Sequence, residues 1–202
     1  MVGAGGHAKV VIATLRAAGL RVQGVLDDQP HTWGQEVLGC PVLGGLDQLE
    51  RPCRAVIAIG ANRVRQRVSA RFAGVEWVSA VHPAATVHDS AVLGAGTVVF
   101  AGAVVQPSAR LGRHVIVNTG ASVDHDCVLG DFVHVAPGSR LAGQVQVGEG
   151  TLLGVGSAVA PGLSIGAWST VGAGGVVVRP LPGGVVATGV PARVRRSSDP
   201  QA

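Results

Sequence analysis

The chain has 202 residues, of which 47% are hydrophobic and 14% are charged, so we expect an ordered protein of one or two domains. Its formal net charge is +4, tyrosine is absent, and no basic cluster alternates with aromatic residues, so we expect no nucleic-acid interface. Arg193, Arg195 and Arg196 form a short basic tail, which suits a phosphate-bearing small ligand as well as a polymer.

Cysteine usage and the pattern of hydrophobic residues predict a cytoplasmic protein without a membrane segment. Cys40, Cys53 and Cys127 are widely spaced and show no disulfide framework. The first residues lack the basic-then-apolar profile of a signal peptide. Residues 150–178 carry no charge, but their glycines, prolines and six-residue register favour a β-helix over a membrane span.

Residues 1–76 alternate short apolar strands with helical segments, which predicts a Rossmann-like domain with a small parallel sheet. The expected elements are a helix at 8–15, a strand at 21–26, a strand at 55–60 and a helix at 63–71. The glycine turn at 3–6 opens the first helix, and Asp27 and Asp28 follow the next strand. Such a turn directs N–H groups at an anion and such an acid holds a ribose or base, so we expect nucleotide binding.

The start of this domain is unusual. Met1 falls where the first strand should already be ending. Either that strand is very short or the natural chain begins upstream.

Residues 81–182 repeat every six residues. The first position is aliphatic in seventeen consecutive hexads, from Val81 to Val177, and the fifth position is mostly small. This period fits a β-helix with one strand and one turn per hexad and three hexads per triangular coil. Positions one and five should point inward, while glycines, with Asn118 and Asp124 as substitutes, adopt left-handed conformations at the corners. We therefore predict a second domain at 77–202, an all-β parallel β-helix with a C-terminal cap and tail.

The outer faces of this predicted prism carry a surplus of apolar side chains. Val92, Val98, Val104 and Ile116 all lie off the inward positions. A monomer would leave them in water, so we expect a homotrimer.

Seven larger or polar residues interrupt the small turn residues of the repeat: His114, Asn118, Asp124, His125, Asp126, Phe132 and His134. His125 and Asp126 are third and fourth in their hexad, so both should project outward from a corner. An imidazole beside a carboxylate suits general-base catalysis, because the acid fixes the tautomer and stabilises the imidazolium. Solvated turn residues are the alternative for each histidine taken alone.

A metal site is a further alternative, since some hexad-repeat enzymes hold zinc between subunits with three histidines. His114, His125 and His134 occupy the fourth, third and sixth positions of their hexads. These different positions argue against convergence on one ion, so we expect no metal.

Four segments together resemble one family, the nucleotide-sugar acetyltransferases of the PglD type with the related NeuD-type sialic acid O-acetyltransferases. They are Gly3-Ala4-Gly5-Gly6-His7, Asp27-Asp28, Ile59-Gly60-Ala61-Asn62 with Arg65, and His125-Asp126-Cys127 before His134. The resemblance covers essentially the whole chain. It implies a left-handed β-helix, a homotrimer, and acetyl-CoA as co-substrate in the groove between adjacent prisms.

The resemblance also implies roles for individual residues. It assigns binding of the nucleotide part of the substrate to Gly3, Gly5, Gly6, Asp27, Asp28, Asn62 and Arg65. His7 would lie near the pyrophosphate and the reactive sugar. His125 matches the catalytic base and Asp126 the neighbouring acid, which is commonly glutamate. The resemblance assigns binding of the coenzyme to His134, Gly143, Gly189 and Arg193. The N–H of Gly143 would donate to the thioester carbonyl.

These residues predict an acetyl-CoA-dependent N-acetyltransferase that acts on the amino group of a UDP-amino-sugar, such as a bacillosamine-type glycan precursor. O-acetylation of a sugar such as sialic acid is the alternative on the same scaffold. From other classes, a metalloenzyme of carbonic anhydrase type and a non-catalytic nucleotide-sensing trimer remain open.

Overall fold

The computed structural model describes residues 1–50 and 52–197; residues 198–202, the end of the predicted second domain, lie outside them. The N-terminal domain consists of α1 (Gly6–Ala17), β1 (Val25–Leu26), β2 (Glu36–Val37), β3 (Cys40–Gly44), β4 (Cys53–Ala55), α2 (Asn62–Arg71) and β5 (Val75–Trp77), with 3-10 turns at Pro30–Thr32 and Leu46–Gln48. Both predicted helices and the parallel sheet are confirmed. Neither helix in the described residues is long and apolar enough to span a membrane.

The helix α1 packs on the sheet because its apolar residues recur at helical spacing. Ala8, Val11, Ile12 and Leu15 are buried, which is the i, i+3, i+4, i+7 pattern of one face. The opposite face is exposed at Lys9.

The sheet of this domain is nearly divided in two. β1 pairs in parallel with β3, and β4 pairs in parallel with β5. Among the residues that the structure describes, only Val2 joins the two parts, through isolated parallel bridges to Leu26 and Ile57. In the described residues the first strand is thus reduced to the bridges of Val2. Before Met1, an open groove lies between the backbone that leads into β1 and the free edge of β4.

The second domain is a solenoid of two-residue strands. In chain order they are β6 (Ala80–Val81), β7 (Thr86–Val87), β8 (Val92–Leu93), β9 (Val98–Val99), β10 (Val104–Val105), β11 (Arg110–Leu111), β12 (Ile116–Val117), β13 (Ser122–Val123), β14 (Val128–Leu129), β15 (His134–Val135), β16 (Arg140–Leu141), β17 (Gln146–Val147), β18 (Leu152–Leu153), β19 (Ala158–Val159), β20 (Ser164–Ile165), β21 (Thr170–Val171) and β22 (Val176–Val177). The predicted boundary after residue 76 falls within β5, because Trp77 still pairs with Ala55.

The strands stack into three parallel sheets, which are the faces of a triangular prism. The first face contains β6, β9, β12, β15, β18 and β21, the second β7, β10, β13, β16, β19 and β22, and the third β8, β11, β14, β17 and β20. Each strand from β6 to β19 pairs with the strand 18 residues further on, as Val104 does with Ser122. The predicted β-helix is confirmed, while its left-handed winding stays a prediction.

Positions one and five of the hexads fill the interior, as predicted. Val99, Val117 and Leu153 at position one are completely buried, as are Ala121 and Cys127 at position five. Polar residues at position five are buried too, and their hydroxyls bond to carbonyls of the neighbouring coil, as Thr151 does to Gly166 at 2.9 Å.

The left-handed corner residues lie at position four. Positive φ angles occur there at glycines and at Asp126, with φ 58, and Phe132, with φ 61. The expectation that Asn118 and Asp124 adopt this conformation was wrong. They lie at position two, and their side-chain oxygens accept the next N–H group at 2.9 and 2.7 Å.

A hairpin closes the solenoid. β23 (Val185–Thr188) continues the first face, and β24 (Arg193–Ser197) pairs with it in antiparallel fashion. The predicted basic tail is thus partly an exposed edge strand.

The N-terminal domain covers the first face of the solenoid. Val98 and Ile116 are each only 1% exposed, because they pack with Ala8, Val11 and other residues of that domain. Their expected place on a free outer face was wrong. Val92, by contrast, is 53% exposed on the third face.

Candidate active site

His125 and Asp126 form a hydrogen-bonded pair at an exposed corner, between β13 and β14 and therefore between the second and third faces. Nδ1 of His125 lies 2.8 Å from Oδ2 of Asp126. The left-handed conformation of Asp126 turns its carboxylate back toward the imidazole. Asp124 holds the other side of the turn by accepting the N–H of His125 at 2.7 Å.

This pairing makes Nε2 the basic atom of His125. A carboxylate only accepts hydrogen bonds, so Nδ1 carries the proton of the neutral ring and Nε2 keeps its lone pair. The hydrogen bond to Asp126 raises the pKa of His125 above its ordinary value, because the carboxylate stabilises the imidazolium. The arrangement suits proton transfer to and from a ligand.

Gly143 lies against the imidazole from the next coil. It occupies the same hexad position as His125, 18 residues further along, between β16 and β17. A Cβ at residue 143 would overlap Nε2 and Cε1 of His125, so the ring needs a glycine there. In the described part of the chain no backbone acceptor pairs with the N–H of Gly143, so this donor is available beside Nε2.

Cys127 follows the pair but points inward. It is completely buried, and its Sγ lies 3.2 Å from the carbonyl of Ala142. Burial raises the pKa of its thiol, which disfavours the nucleophilic thiolate. The predicted role of Cys127 as a small apolar residue is confirmed.

A second polar cluster lies on the first face beneath the N-terminal domain. Nδ1 of His134 lies 3.3 Å from the carbonyl of Gly60, and Nε2 lies 3.1 Å from the side-chain amide of Asn118. The ring of His7, at the start of α1, lies 6.1 Å from that of His134 and 5.4 Å from that of Phe100, measured between centroids. His7, predicted near the reactive sugar, and His134, predicted near the acetyl group or the substrate, are therefore neighbours.

Burial keeps both imidazoles neutral. Burial, with a smaller contribution from the charge of Arg65, lowers the pKa of His134 to about 3 and that of His7 to about 4. Nε2 of His7 is buried and has no hydrogen-bond partner among the described residues. Since an unpaired buried polar atom costs free energy, this nitrogen favours contact with a polar group of a ligand.

The glycine turn exposes the start of α1. Gly5 and Gly6 are exposed, and a Cβ at either would meet no atom within 4 Å. Gly3 has φ 102 and packs closely on Ala58. The first turn of α1 contains no acidic residue and its N-cap makes no side-chain hydrogen bond. Its free N–H groups can therefore receive an anion.

Asp27 fixes this turn. Its Oδ2 accepts the N–H of Ala4 at 2.6 Å and its Oδ1 the N–H of Gln29 at 2.8 Å. Asp28 is engaged by protein donors as well, the N–H of Leu46 at 2.8 Å and the guanidinium of Arg71 at 3.0 Å.

Trp33, which the sequence predictions did not include, lies beside Asp27. The residue is 46% exposed, and its Nε1 donates to the carbonyl of Asp27 at 2.7 Å. It is one of three tryptophans in a chain without tyrosine, and that scarcity was the available signal.

Arg65 does not reach the ligand surface that the resemblance implied. It is 1% exposed, and its five hydrogen bonds go to neutral protein oxygens at 2.7–3.1 Å: the carbonyls of His114, Ile59, Gly60 and Phe132 and the side chain of Asn62. All five N–H groups of a guanidinium are thereby used. The predicted nucleotide contact of Arg65 is therefore corrected to a contact between the domains.

Asn62 shares in this correction. Besides accepting from Arg65, it donates to the carbonyl of Gly150 in the solenoid at 3.0 Å. Both of its polar groups therefore have protein partners at the domain interface.

His114 also lies in the domain interface instead of projecting outward. It is 1% exposed, stacks on Phe132 with 5.3 Å between ring centroids, and shares a 2.8 Å hydrogen bond with Ser69. His125 occupies an exposed corner and His134 a different face. The three histidines thus do not converge within one chain, and the described residues contain no group of three metal-ligating side chains.

Comparison with known proteins finds relatives that share both domains. Residues 1–72 match the PglD N-terminal domain family. PerB from Caulobacter crescentus, solved in complex with CoA and GDP-perosamine, is 49% identical; the match covers 96% of this chain and 95% of PerB, with a TM-score of 0.91. This chain belongs to the PglD-type nucleotide-sugar N-acetyltransferase family.

Further relatives of the family carry different descriptions. The acetyltransferase domain of PglB from Neisseria gonorrhoeae, solved with acetyl coenzyme A, is 39% identical over 96% of this chain and 97% of that domain, with a TM-score of 0.89. UDP-N-acetylbacillosamine N-acetyltransferase of Bacillus subtilis is 42% identical over 109 residues, half of each protein. The chain spans half or less of the length of the curated relatives it matches.

Two residues assigned to the coenzyme side of this family site lie at the end of the solenoid. The carbonyl of Gly189 accepts the N–H of Val176 at 3.0 Å, and Arg193 begins β24 as an exposed side chain. Val176 belongs to the same face as β13 but three coils further on. At about 4.8 Å per coil, this end lies roughly 14 Å along the prism from His125.

Proposed function

We propose that the protein transfers the acetyl group of acetyl-CoA to the amino group of a nucleotide-linked amino sugar. The observation that carries this proposal is the corner where Nε2 of His125 and the N–H of Gly143 lie side by side, with Asp126 behind the imidazole. A base and a hydrogen-bond donor at one point are what an acyl transfer needs.

Each of the three residues then has a defined part in the reaction. Nε2 of His125 accepts a proton from the substrate nitrogen as the bond to the acetyl carbon forms. The N–H of Gly143 donates to the oxygen that becomes negative in the tetrahedral intermediate. The imidazolium, stabilised by Asp126, returns the proton to the departing sulfur as the carbon–sulfur bond breaks. No covalent enzyme intermediate is needed.

The N-terminal domain supplies the nucleotide site in this proposal. The exposed glycine turn at the start of α1 receives the pyrophosphate, and Asp27 holds that turn in shape. Nε2 of His7 bonds a polar group of the sugar. Arg65 takes no direct part.

We further propose that the working enzyme is a homotrimer. His125 lies at the corner between the second and third faces, whereas its own N-terminal domain covers the first face. In a prism with three faces that corner is opposite the first face. One ligand reaches both sites only if a neighbouring copy brings its N-terminal domain to the corner, with acetyl-CoA in the groove between the prisms.

The acceptor sugar has two candidates. The sequence predicted a UDP-linked sugar of the bacillosamine type, and the Bacillus subtilis relative carries that description. The likeness to PerB extends over nearly the whole chain and favours a GDP-linked sugar such as GDP-perosamine. We propose GDP-perosamine first and the UDP-linked sugar second.

The test is an acetyl-CoA turnover assay that follows released thiol across a panel of GDP-, UDP- and dTDP-linked amino sugars and the matching hydroxy sugars. We expect turnover with an amino sugar and none with its hydroxy counterpart. Turnover with hydroxy sugars alone would contradict N-acetylation, and no thiol release with any acceptor would overturn the proposed function.

A further inference from the structure

An arginine-lined cavity opens between the start of α2 and the last coils of the first face. Its volume is about 340 Å³. Arg63 and Arg67 of α2 line one side, and Arg196 of β24 lines the other. Trp168 forms part of the wall, with the guanidinium of Arg63 4.4 Å from the centre of its ring.

No acidic side chain among residues 1–50 and 52–197 neutralises the positive charge of this cavity. Within the described residues, its lining contains no acid, and its three arginines make no ion pair. The nearby carboxylate of Glu149 accepts from Gln66 at 2.6 Å and does not line the cavity. The N–H groups at the start of α2, after Ala61, add partial positive charge to the same wall. Concentrated, unpaired guanidinium groups of this kind match phosphate oxygens.

The cavity adjoins the cluster of His7 and His134 on the first face. Gly60 belongs to its lining and its carbonyl bonds Nδ1 of His134. Thr170, also in the lining, lies on the same face as His134, two strands further along. At about 4.8 Å per coil the cavity lies roughly 10 Å from His134, which is within reach of a phosphate on either substrate.

We propose that this cavity binds a phosphate group of one of the two substrates, with Arg63, Arg67 and Arg196 as its ligands and the ring of Trp168 holding Arg63 in place. The inference rests on the proposed function. The bound phosphate belongs either to acetyl-CoA or to the pyrophosphate of the nucleotide sugar. Both substrates carry phosphate oxygens that the arginines can bind.

The test compares Arg67→Ala and Arg196→Ala with two controls that remove the same charge nearby. Arg71→Ala lies on the same helix and pairs with Asp28. Arg195→Ala lies on the same strand and bonds Thr188. For each variant, calorimetry measures binding of CoA, dephospho-CoA, GDP and UDP, and steady-state kinetics gives KM and kcat.

We expect both cavity variants to weaken one ligand about tenfold or more, since a lost charged hydrogen bond has that size, with kcat within about twofold. The controls should bind normally. If the bound group is the 3′-phosphate of CoA, wild-type protein should bind dephospho-CoA as weakly as Arg67→Ala binds CoA. If the bound group is the pyrophosphate of the nucleotide sugar, the variants should lose affinity for GDP or UDP alone.

Two outcomes separate the two proposals. Normal binding of all four ligands in folded Arg67→Ala and Arg196→Ala protein overturns the cavity assignment even if acetyl transfer is observed. Weakened binding without any acetyl transfer leaves the cavity assigned and overturns the proposed function.

Discussion

The imidazole of His125 rests on the backbone of Gly143, which holds the equivalent position one coil further along the solenoid. The relationship follows from the constant 18-residue spacing of paired strands, because without insertions each corner residue lies directly against its equivalent. A repeat that packs the core thereby also sets the distance between a base and a hydrogen-bond donor.

Gly143→Ala should lower kcat by roughly 100-fold, since the methyl group displaces the imidazole and misplacement of about 1 Å has such effects. The fold should persist, because alanine occupies the same third position of the hexad at another corner, at Ala101 and Ala173. Steady-state kinetics with acetyl-CoA and circular dichroism check both parts. In a His125→Ala background the same substitution should have little further effect. Fully additive losses would contradict the contact.

His125→Asn should lower kcat by roughly 10²–10⁴-fold, the usual contribution of a general base. The variant keeps polarity at an exposed corner, so folding should be unaffected. His88→Asn is the matched control, because His88 is also an exposed turn residue but lies in an early coil. A folded His125→Asn protein with near-normal acetyl transfer would show that water or another residue is the base.

Asp126→Asn should move the acidic limb of the pH profile of kcat/KM to lower pH. An imidazolium cannot accept a proton, so activity falls as the pH drops through the pKa of His125. The carboxylate raises that pKa, and its loss lowers it toward the ordinary value. The plateau should also fall by about 10- to 100-fold, because the imidazolium loses its stabilising charge. An unchanged or upward-shifted limb would exclude this role for Asp126.

The regular parts of this structure follow from the sequence, because a six-residue period without insertions permits one register. The same period placed His125 and Asp126 at an exposed corner. It could not show which corner the N-terminal domain covers, since that depends on contacts between distant residues. Val98 was therefore expected on the outside, whereas it is buried under that domain.

Arg65 illustrates the same limit for a single side chain. An arginine near a glycine turn suggests a phosphate ligand, and only the packed domains reveal that carbonyls from two consecutive coils, at His114 and Phe132, use its donors. A sequence motif identifies the type of residue at a position, but the tertiary structure decides which hydrogen-bond acceptors surround it.

Arg65→Ala should lower the free energy of unfolding by about 3 kcal/mol or more, because hydrogen bonds to a charged group contribute about 1.5–3 kcal/mol each. Arg65→Lys should recover part of the loss, since it offers three donors in place of five. Arg71→Ala, on the same helix but in an exposed ion pair, should cost about 0–1 kcal/mol. Denaturant titration measures all three. Equal effects at Arg65 and Arg71 would contradict the interface role.

The groove before Met1 gives the last prediction. The amine of Met1 donates to the carbonyl of Gly24 at 2.9 Å and its pKa is lowered by burial. Leu15, Leu20 and Val56 are apolar residues in the lining of the groove between β1 and β4, which also contains polar and charged residues. Adding Lys-Val-Ile-Val-Ile before Met1 should therefore continue the strand of Val2 into this groove and join the two parts of the sheet.

Each buried aliphatic side chain of the added strand contributes about 1.5–3 kcal/mol, against a backbone ordering cost of about 1–2 kcal/mol per residue. A net gain of about 2 kcal/mol should raise Tm by about 4–8 °C. A Gly-Ser extension of equal length is the control and should leave Tm unchanged. Hydrogen exchange should show new protection at Gly24 and Ala55, where the added strand pairs. Equal Tm values for the two extensions, without new protection, would mean that the groove does not accept a strand.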